Sequence, residues 1–315
     1  MSSKRRSYTR EFKMEAVRQV RASGRSQREV AGALGVPESN LTRWKKKYVE
    51  NGDDAFSGDG NLPRELASIA WSLGADLFGV ADLRPVHAVV VNQGSQRLKP
   101  FTHAMVAAVG LSDTVVDYAD FELPVDNSLY GWHLYQAVSP RLDAIAWHLA
   151  SIVERRGYSA LPIPTSQYRS PGDRNAIFSH KLAAHLAGLG WIGKSSLLVT
   201  QAFGPRVRLV SVLTDCPLEA GERLDDRCGE CEECVAACPA QALTGVEFND
   251  EEGRDVRLNV ELCGSYRDGP GTQSSRRGGH VCGLCLAVCP RAYPEQPGWR
   301  HPVMKGRSRG VTGNR

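Results

Sequence analysis

Long apolar runs are missing from this sequence of 315 residues. No stretch of about 18 or more apolar residues occurs, so no membrane span is predicted. The basic start, MSSKRRSYTR, lacks the apolar segment that follows in a signal peptide, and a cytoplasmic protein is expected. Without an export signal, the nine cysteines of so long a chain are expected to be reduced, metal-binding thiols rather than a disulfide framework.

Acidic residues are scarce at the N-terminal end. Residues 1–50 contain thirteen Lys or Arg against five Glu and no Asp, which gives a charge of +8. Because the whole chain sums to +4, the remaining residues carry −4. Such a concentration of positive charge is typical of a nucleic-acid-binding segment, and a solvated basic tail is the alternative.

The spacing in this basic segment predicts three helices. YTREFKMEAVRQVRAS forms the first, and Gly24 ends it. SQRE at 26–29 is a capping box that opens the second helix, and GVP at 35–37 predicts a turn. Ser39 is the predicted cap of a third helix, NLTRWKKKYVE. Two short helices around a Gly-containing turn indicate a helix-turn-helix, with an ordinary three-helix packing unit as the alternative.

The last of these helices is the predicted DNA-reading element, because the second helix of a helix-turn-helix enters the major groove. Asn and Arg side chains read base edges, whereas lysines mainly hold phosphates. The predicted DNA contacts are the outward residues Asn40, Thr42, Arg43, Lys45, Lys46 and Lys47.

The segment RRSYTREFKMEAVRQV, followed by GRSQREVAGALGVPESNLTRWKKKY, resembles the N-terminal DNA-binding domain of insertion-sequence transposases. The resemblance covers roughly residues 5–62 and includes AFSGDGNL. It implies a DNA-binding head. The catalytic part of such transposases is an RNase H-like domain, which the rest of this chain does not resemble, so transposition by this chain alone is not expected.

Helices and strands alternate after Pro63, which favours an α/β domain. Strands are predicted in GADLFGVADL, FTHAMVAAVGLS and SALPIP, and two more flank Gly204 and Pro205; residues 138–157 are a predicted helix. Within SHKLAAHLAGLGWIGKSSLL, closely spaced glycines allow the backbone to turn tightly or to approach a ligand. The predicted cofactor-binding residues are Gly188, Gly190, Trp191, Gly193 and Lys194. Plain turns are the alternative for the glycines, and His180 and His185 are interpreted as structural.

Two cysteine motifs carry the strongest chemical signal. CGECEECVAACP and CGLCLAVCP have the spacing of bacterial ferredoxins, in which the cysteine before proline binds the other cluster. The predicted first 4Fe–4S cluster is held by Cys228, Cys231, Cys234 and Cys289. The predicted second cluster takes Cys238, Cys282 and Cys285, with Cys263 as the candidate fourth ligand. Cys216 is interpreted as a non-ligand, and zinc is the alternative metal.

Residues of about 63–292 resemble the epoxyqueuosine reductase family, especially its shorter relatives. GADLFGVADL, HKLAAHLAGLGWIGKSSLL, GPRVRLVSVLTD, LCGSY and the two cysteine motifs carry the resemblance. That family reduces an epoxide in a tRNA-bound base and uses two 4Fe–4S clusters to feed electrons to a cobalamin. The resemblance implies that Cys263, in a displaced CxSY motif, completes the second cluster. Gapless alignment puts Arg174 at the family's catalytic acid and Asp173 one residue earlier, so Asp173 is the predicted proton donor.

The expected architecture is therefore α+β and multidomain. It comprises an all-α helix-turn-helix (1–62), an α/β reductase-like domain (63–215), a ferredoxin-like double-cluster domain (216–292) and a basic tail (293–315). The expected function is an iron–sulfur reductase that passes electrons to a corrinoid or another acceptor. The expected partners are DNA, a tRNA substrate and a donor such as ferredoxin or flavodoxin. The alternatives are a DNA-binding protein with structural or redox-sensing clusters, an electron carrier without corrinoid, and an accidental gene fusion.

Overall fold

The structure of the protein is a computed structural model. It describes residues 8, 10–22, 25–51, 62–119, 128–167, 175–250, 252–267 and 282–292. The α-helices are α1 (Arg10–Ala22), α2 (Gln27–Leu34), α3 (Glu38–Asn51), α4 (Leu62–Ser72), α5 (His87–Gly94), α6 (Asp113–Tyr118), α7 (Ser128–Trp132), α8 (Ser139–Arg155), α9 (His180–Leu186), α10 (Glu233–Ala236), α11 (Val260–Arg267) and α12 (Leu284–Ala287). The strands are β1 (Leu77–Asp82), β2 (His103–Gly110), β3 (Ala160–Ile163), β4 (Trp191–Ile192), β5 (Leu198–Val199) and β6 (Val207–Thr214).

The first three helices form a small unit with its own apolar core. Ser26 and Glu29 cap α2 reciprocally, which confirms the predicted capping box. Gly35 follows α2 with a φ of 64°, a left-handed conformation that glycine adopts without strain. Helix α3 begins at Glu38, so Ser39 lies inside the helix and the prediction that it caps α3 is wrong. The core of the unit consists of Ala16, Val17, Val30, Ala31, Val36, Leu41 and Trp44.

The central domain is built on one sheet with the strand order β1-β2-β6-β3. All three pairings are antiparallel, with Val80 opposite Met105 and Val106 opposite Ser211 in register. The alternation of predicted helices and strands did not specify whether neighbouring strands run parallel or antiparallel. A separate two-stranded sheet joins β4 to β5.

Helices cover both faces of this sheet, and its central strand β2 is almost continuously apolar. Residues 103–109 of β2 are all buried. Since side chains alternate along a strand, Met105 packs with α4 and α8 on one face, whereas Val106 packs with α9 on the other. Burial on both faces explains why the sequence of β2 is continuously apolar.

The cysteine-rich part packs against the central domain through α12. Helix α10 contacts α12, and the fully buried Arg206 joins this region to α6. Its guanidinium pairs with Asp113 at 2.7 Å and with Asp117 at 2.8 Å, and donates to the carbonyl of Ala287 at 3.3 Å. None of the helices in the described part of the chain combines the length and apolarity needed to cross a bilayer.

Candidate metal centres and the adjoining cavity

The thiols predicted to hold the first cluster lie near one another. Burial, and then the neighbouring thiols of Cys228 and Cys231, raise the pKa of Cys234 to about 11. Burial also raises the pKa of Cys289 to about 12, with further contributions from the other three thiols. Two short helical turns thus bring Cys289, 51 residues beyond Cys238 in the chain, to the CxxCxxC segment.

A second set of thiols surrounds Cys285. Burial raises the pKa of Cys285 far above its ordinary range, and the thiols of Cys282, Cys234, Cys263 and Cys238 add to this effect. Cys263 lies on α11, outside both ferredoxin-type motifs, and the fold nevertheless places it beside this set. Cys234 is near thiols of both sets, so two clusters held here would be close neighbours.

The number of these thiols and their spacing in the sequence suit two clusters better than single ions. Among the described residues, no three His, Cys, Asp or Glu side chains are close enough together to hold one metal ion. A zinc site gathers four ligands around one ion at 2.0–2.3 Å, whereas each thiolate of a cubane binds a different iron. Cys216 is fully buried in the central core, and its interpretation as a non-ligand stays a prediction.

The glycine-rich segment contacts protein backbone and the first thiol set. A side chain at Gly188 would meet the carbonyl of Glu222, and one at Gly190 would meet that of Val199, each at 2.2 Å. These two glycines therefore permit close backbone packing. Gly193 lies against the Cys228 sulfur, since an added Cβ would be 3.0 Å from Sγ.

Lys194 also faces the first thiol set. It is 7% exposed. Its Nζ donates to the carbonyl of Gly229 at 2.8 Å and lies 3.9 Å from Glu232. The ammonium group therefore anchors the loop between Cys228 and Cys231.

Two adjoining cavities open beside the second thiol set. The larger, about 440 Å³, is called the polar cavity; the smaller, about 260 Å³, is called the cluster-side cavity because Cys282 and Cys285 line it. Their common wall consists of Tyr135, Thr165, His180, Lys181 and Arg208. The polar cavity has the size of an ordinary small-molecule site.

Arg208 dominates the common wall electrostatically. Its guanidinium donates to Ser139 Oγ at 3.0 Å and to Ser166 Oγ at 2.8 Å, and stacks 4.5 Å from the ring centre of Tyr135. No carboxylate within the described ranges pairs with it at 4.0 Å or less. Tyr135 lies on a π-helical segment, His133–Val138, a distortion frequent at functional sites.

The remaining titratable groups of the wall are shifted by burial. Burial lowers the pKa of His180 to about 4. Because its Nε2 faces the carbonyl of Pro164 at 3.1 Å, that nitrogen carries the proton, and Nδ1 accepts from Ser211 Oγ at 2.9 Å. Burial, and then nearby Arg254, lower the pKa of Lys181 to about 8, and its Nζ donates to the carbonyl of Ser196. Lys181 can therefore change protonation near neutral pH.

The predicted DNA-contacting residues lie on α3. Arg43, Lys45 and Lys46 are exposed and Asn40 is partly buried, whereas the side chain of Lys47 lies outside the described residues. Thr42 is exposed, and its hydroxyl is engaged by Gln27 Nε2 at 2.6 Å and by the carbonyl of Glu38 at 3.1 Å. Thr42 therefore connects α2 to α3 as well as facing solvent.

Sequence reasoning and structure differ in which residues surround the candidate site. Asp173 lies outside the described residues and stays a prediction. Tyr135, Lys181 and Arg208 were not identified from the sequence, and His180 was interpreted as structural. The only local signal was the pair His180–Lys181 directly before the glycine-rich segment, because the other two come from distant elements.

Known protein families match the two ends of the chain. Residues 2–67 match the transposase family, and residues 227–292 match the 4Fe-4S double cluster binding domain. The N-terminal unit is thus a transposase-type helix-turn-helix, and the C-terminal part is a domain for two 4Fe–4S clusters.

Reductases match the central and C-terminal parts. Epoxyqueuosine reductase of Listeria monocytogenes is 32% identical over 135 residues, which cover 41% of this chain and 33% of that protein. Tetrachloroethene reductive dehalogenase of Desulfitobacterium hafniense is 30% identical over 179 residues, which cover 51% of this chain and 28% of that protein. The chain thus spans about a third of the length of the curated relatives it matches.

A solved reductive dehalogenase, described as carrying out B12-dependent dehalogenation, matches the fold. The TM-score is 0.54 and the identity 22%, over 76% of this chain and 32% of that one. The central part of the chain therefore has the fold of these reductases, joined to a double-cluster domain and preceded by a transposase-type head.

Proposed function

We propose that the protein is an iron–sulfur reductase that passes electrons through two 4Fe–4S clusters to a corrinoid or another acceptor in the cluster-side and polar cavities. The observation that carries the proposal is the wall of the cluster-side cavity. Cys282 and Cys285 form one part of it, and Tyr135, Lys181 and Arg208 form another. An acceptor in this space would contact both an electron source and proton-bearing side chains.

The eight thiols fit the clusters by number, type and arrangement. We assign the first cluster to Cys228, Cys231, Cys234 and Cys289, and the second to Cys238, Cys263, Cys282 and Cys285. When bound, the clusters supply one-electron transfer, which the thiols themselves do not. The protein's contribution is to bury both sets partly, to place them side by side, and to line the cluster-side cavity with Cys282 and Cys285 of the second set.

The cavity wall offers groups that hold and move protons. Lys181, with its pKa near 8, can donate a proton close to neutral pH. Tyr135 lines both cavities, and the Arg208 guanidinium packs over its ring at 4.5 Å from the ring centre. Asp173 remains the acid predicted from the sequence; it is two residues from Asn175, which lines the polar cavity. We assign proton delivery to these three side chains, Lys181, Tyr135 and Asp173.

A corrinoid fits the chemistry of the polar cavity, because the amides and the phosphate of a corrinoid need polar and cationic partners. The residues of the cavity that can supply them are Gln93, Asn175, Arg208 and Arg254. When bound, it would supply a metal centre that accepts electrons and attacks carbon–oxygen or carbon–halogen bonds. The names of the relatives suggest an epoxide in a tRNA base or an organohalide as the substrate. We place epoxyqueuosine-containing tRNA first, and a ferredoxin or flavodoxin as the electron donor.

Metal content tests the proposal directly. Chain purified without oxygen should contain about eight iron and eight sulfide, and should retain cobalt after incubation with cobalamin. Cys263→Ser should lose iron from the second cluster only, whereas the matched control Cys216→Ser should retain all of it. Zinc in place of iron would refute the cluster assignment, and full iron without cobalt uptake would refute the corrinoid.

A second candidate function, which we also propose, is DNA binding by the N-terminal unit. We propose that this unit is a domain of residues 1–62 and that domains of residues 63–215 and 216–292 follow it. The supporting observation is the exposed row of Arg43, Lys45 and Lys46 on a helix that a formed capping box and an apolar core hold in place. Phosphate contacts by such a row release counterions, so binding should weaken steeply with salt.

The test compares charge removal at two places. Lys45→Gln should weaken binding to duplex DNA and reduce the slope of log K against log salt by about one. Lys99→Gln, an exposed lysine outside α3, should leave both unchanged. Equal effects of the two substitutions would contradict a specific role for α3.

A further inference from the structure

Trp191 carries a buried polar group whose natural acceptor is a cluster sulfur. The side chain is 3% exposed and lies on β4, which is fixed by its pairing with β5. Its indole nitrogen makes no hydrogen bond of normal geometry with any described residue. A buried N–H without an acceptor costs about 1–3 kcal/mol, so its retention calls for a partner that binds here.

The surroundings of Trp191 identify that partner. Gly193, two residues later, lies against the Cys228 sulfur, where even a Cβ would be at 3.0 Å. Lys194 Nζ anchors the carbonyl of Gly229, the next residue after Cys228. The turn that begins at Trp191 therefore packs directly against the Cys228 loop at Gly193 and Lys194.

The Cys228 sulfur is also approached by N–H groups from this turn. Burial raises the pKa of the Cys228 thiol, whereas the main-chain N–H of Lys194 and the indole N–H of Trp191 lower it. Both groups therefore lie beside the Cys228 sulfur. The Arg227 guanidinium, 5.9 Å from the Trp191 ring centre, covers the other side of the indole.

We propose that Trp191 is a positioning residue that hydrogen-bonds to the Cys228 thiolate and raises the reduction potential of the first cluster alone. The inference rests on the proposed two-cluster function and extends it. Reduction adds negative charge to a cluster, and donors at its sulfurs stabilise that charge. Because Trp191 lies beside Cys228, a proposed ligand of the first cluster, we expect the effect to separate the two potentials.

The experiment is a potentiometric titration followed by electron paramagnetic resonance on the full chain. Trp191→Phe removes the N–H and keeps an aromatic ring beneath Arg227; Trp147→Phe, at a position 62% exposed on α8, is the matched control. Trp191→Phe should keep its iron. One of its two cluster reduction potentials should fall by about 59 mV, which corresponds to a roughly tenfold change in the equilibrium constant of a one-electron reduction. The other potential and both potentials of Trp147→Phe should equal those of the wild type.

Several results would overturn the proposal. Full iron with both potentials unchanged in Trp191→Phe contradicts the hydrogen bond, and equal shifts of both potentials contradict its selectivity. If Trp191→Phe loses iron, benzothienylalanine at position 191 keeps the shape of the indole without the N–H, and the same shift is required of it. Wild-type chain without iron would instead defeat the proposed function, and the iron assay detects that before any titration.

Discussion

At the scale of single residues, the cavity wall makes its chemistry depend on Arg208. Its charge has hydroxyl partners and an aromatic ring but no paired carboxylate among the described residues. Arg208→Met should lower the rate of reduction of added cobalamin by on the order of 10²-fold, a typical cost of removing one electrostatic donor. Absorption spectroscopy of dithionite-reduced chain measures this rate.

The matched variant for this prediction is Arg208→Lys, which keeps the charge and loses the forked donor geometry. It should recover part of the rate, and iron content should stay at the wild-type value in both variants. A wild-type rate in Arg208→Met would show that the acceptor does not use this wall.

His180 predicts a pH dependence of stability. Burial holds the pKa of His180 at about 4, against an ordinary value of 6.5. Between these two pH values the unfolded chain binds a proton at His180 and the folded chain does not. Stability is therefore fully present above about pH 6.5 and falls as the pH drops towards 4. Between about pH 7 and about pH 5.5, the wild type should lose about 1 kcal/mol of unfolding free energy relative to His180→Asn.

Denaturant unfolding under anaerobic conditions measures this difference at each pH. His148→Asn, at an exposed position on α8, serves as the control and should follow the wild type. If His180→Asn and the wild type lose stability in parallel, the folded protein takes up the His180 proton as readily as the unfolded chain, and the lowered pKa is refuted.

At the scale of elements, the capping box of α2 predicts a stability difference between two serines. Ser26→Ala removes the side-chain oxygen that accepts from the Glu29 N–H, and should destabilise the N-terminal unit by about 1 kcal/mol. Ser39→Ala should be neutral or slightly stabilising, because Ser39 lies inside α3, where alanine is favoured. Hydrogen exchange of the α2 and α3 amides measures both, and similar losses from the two substitutions would contradict the assigned caps.

Elements with local signals could be predicted from the sequence. Three such signals are the capping box, the continuously apolar β2 and the x2 cysteine spacing, and each involves residues within about ten positions of one another. At these places the structure contains the start of α2, a buried strand and the first thiol set, respectively. The start of α3 was predicted wrongly because Glu38 and Ser39 both suit a first turn, and only the backbone decides between them.

The cavity could not be predicted, because its parts are distant in sequence. Arg208 comes from β6, Tyr135 from a π-helical segment and Cys282 from the second cysteine motif. They meet only through the antiparallel sheet and the packing of α12, and no spacing rule encodes such long-range pairings.

At the scale of the whole molecule, Arg206 connects the sheet domain to the cysteine-rich part. Arg206→Met should destabilise the protein by about 3 kcal/mol. The substitution removes the buried guanidinium and leaves two carboxylates and a carbonyl without their cationic partner. Since the carbonyl belongs to α12, the variant should also lose iron faster in the presence of a chelator. Arg141→Met, at an exposed position on α8, is the control, and equal rates of iron loss would place the connection elsewhere.

The strand order of the central sheet has a consequence for biosynthesis. Among the described strands, β3 pairs with β6 alone, and β6 also completes the pairing of β2. The sheet therefore stays unfinished until residue 214 has left the ribosome. The eight ligand cysteines all follow that point, from Cys228 onward. Domains fold as units during synthesis, N-terminal first. A nascent chain can therefore complete the strand pairing of its central sheet before the first ligand thiol, Cys228, emerges, and cluster loading follows sheet formation.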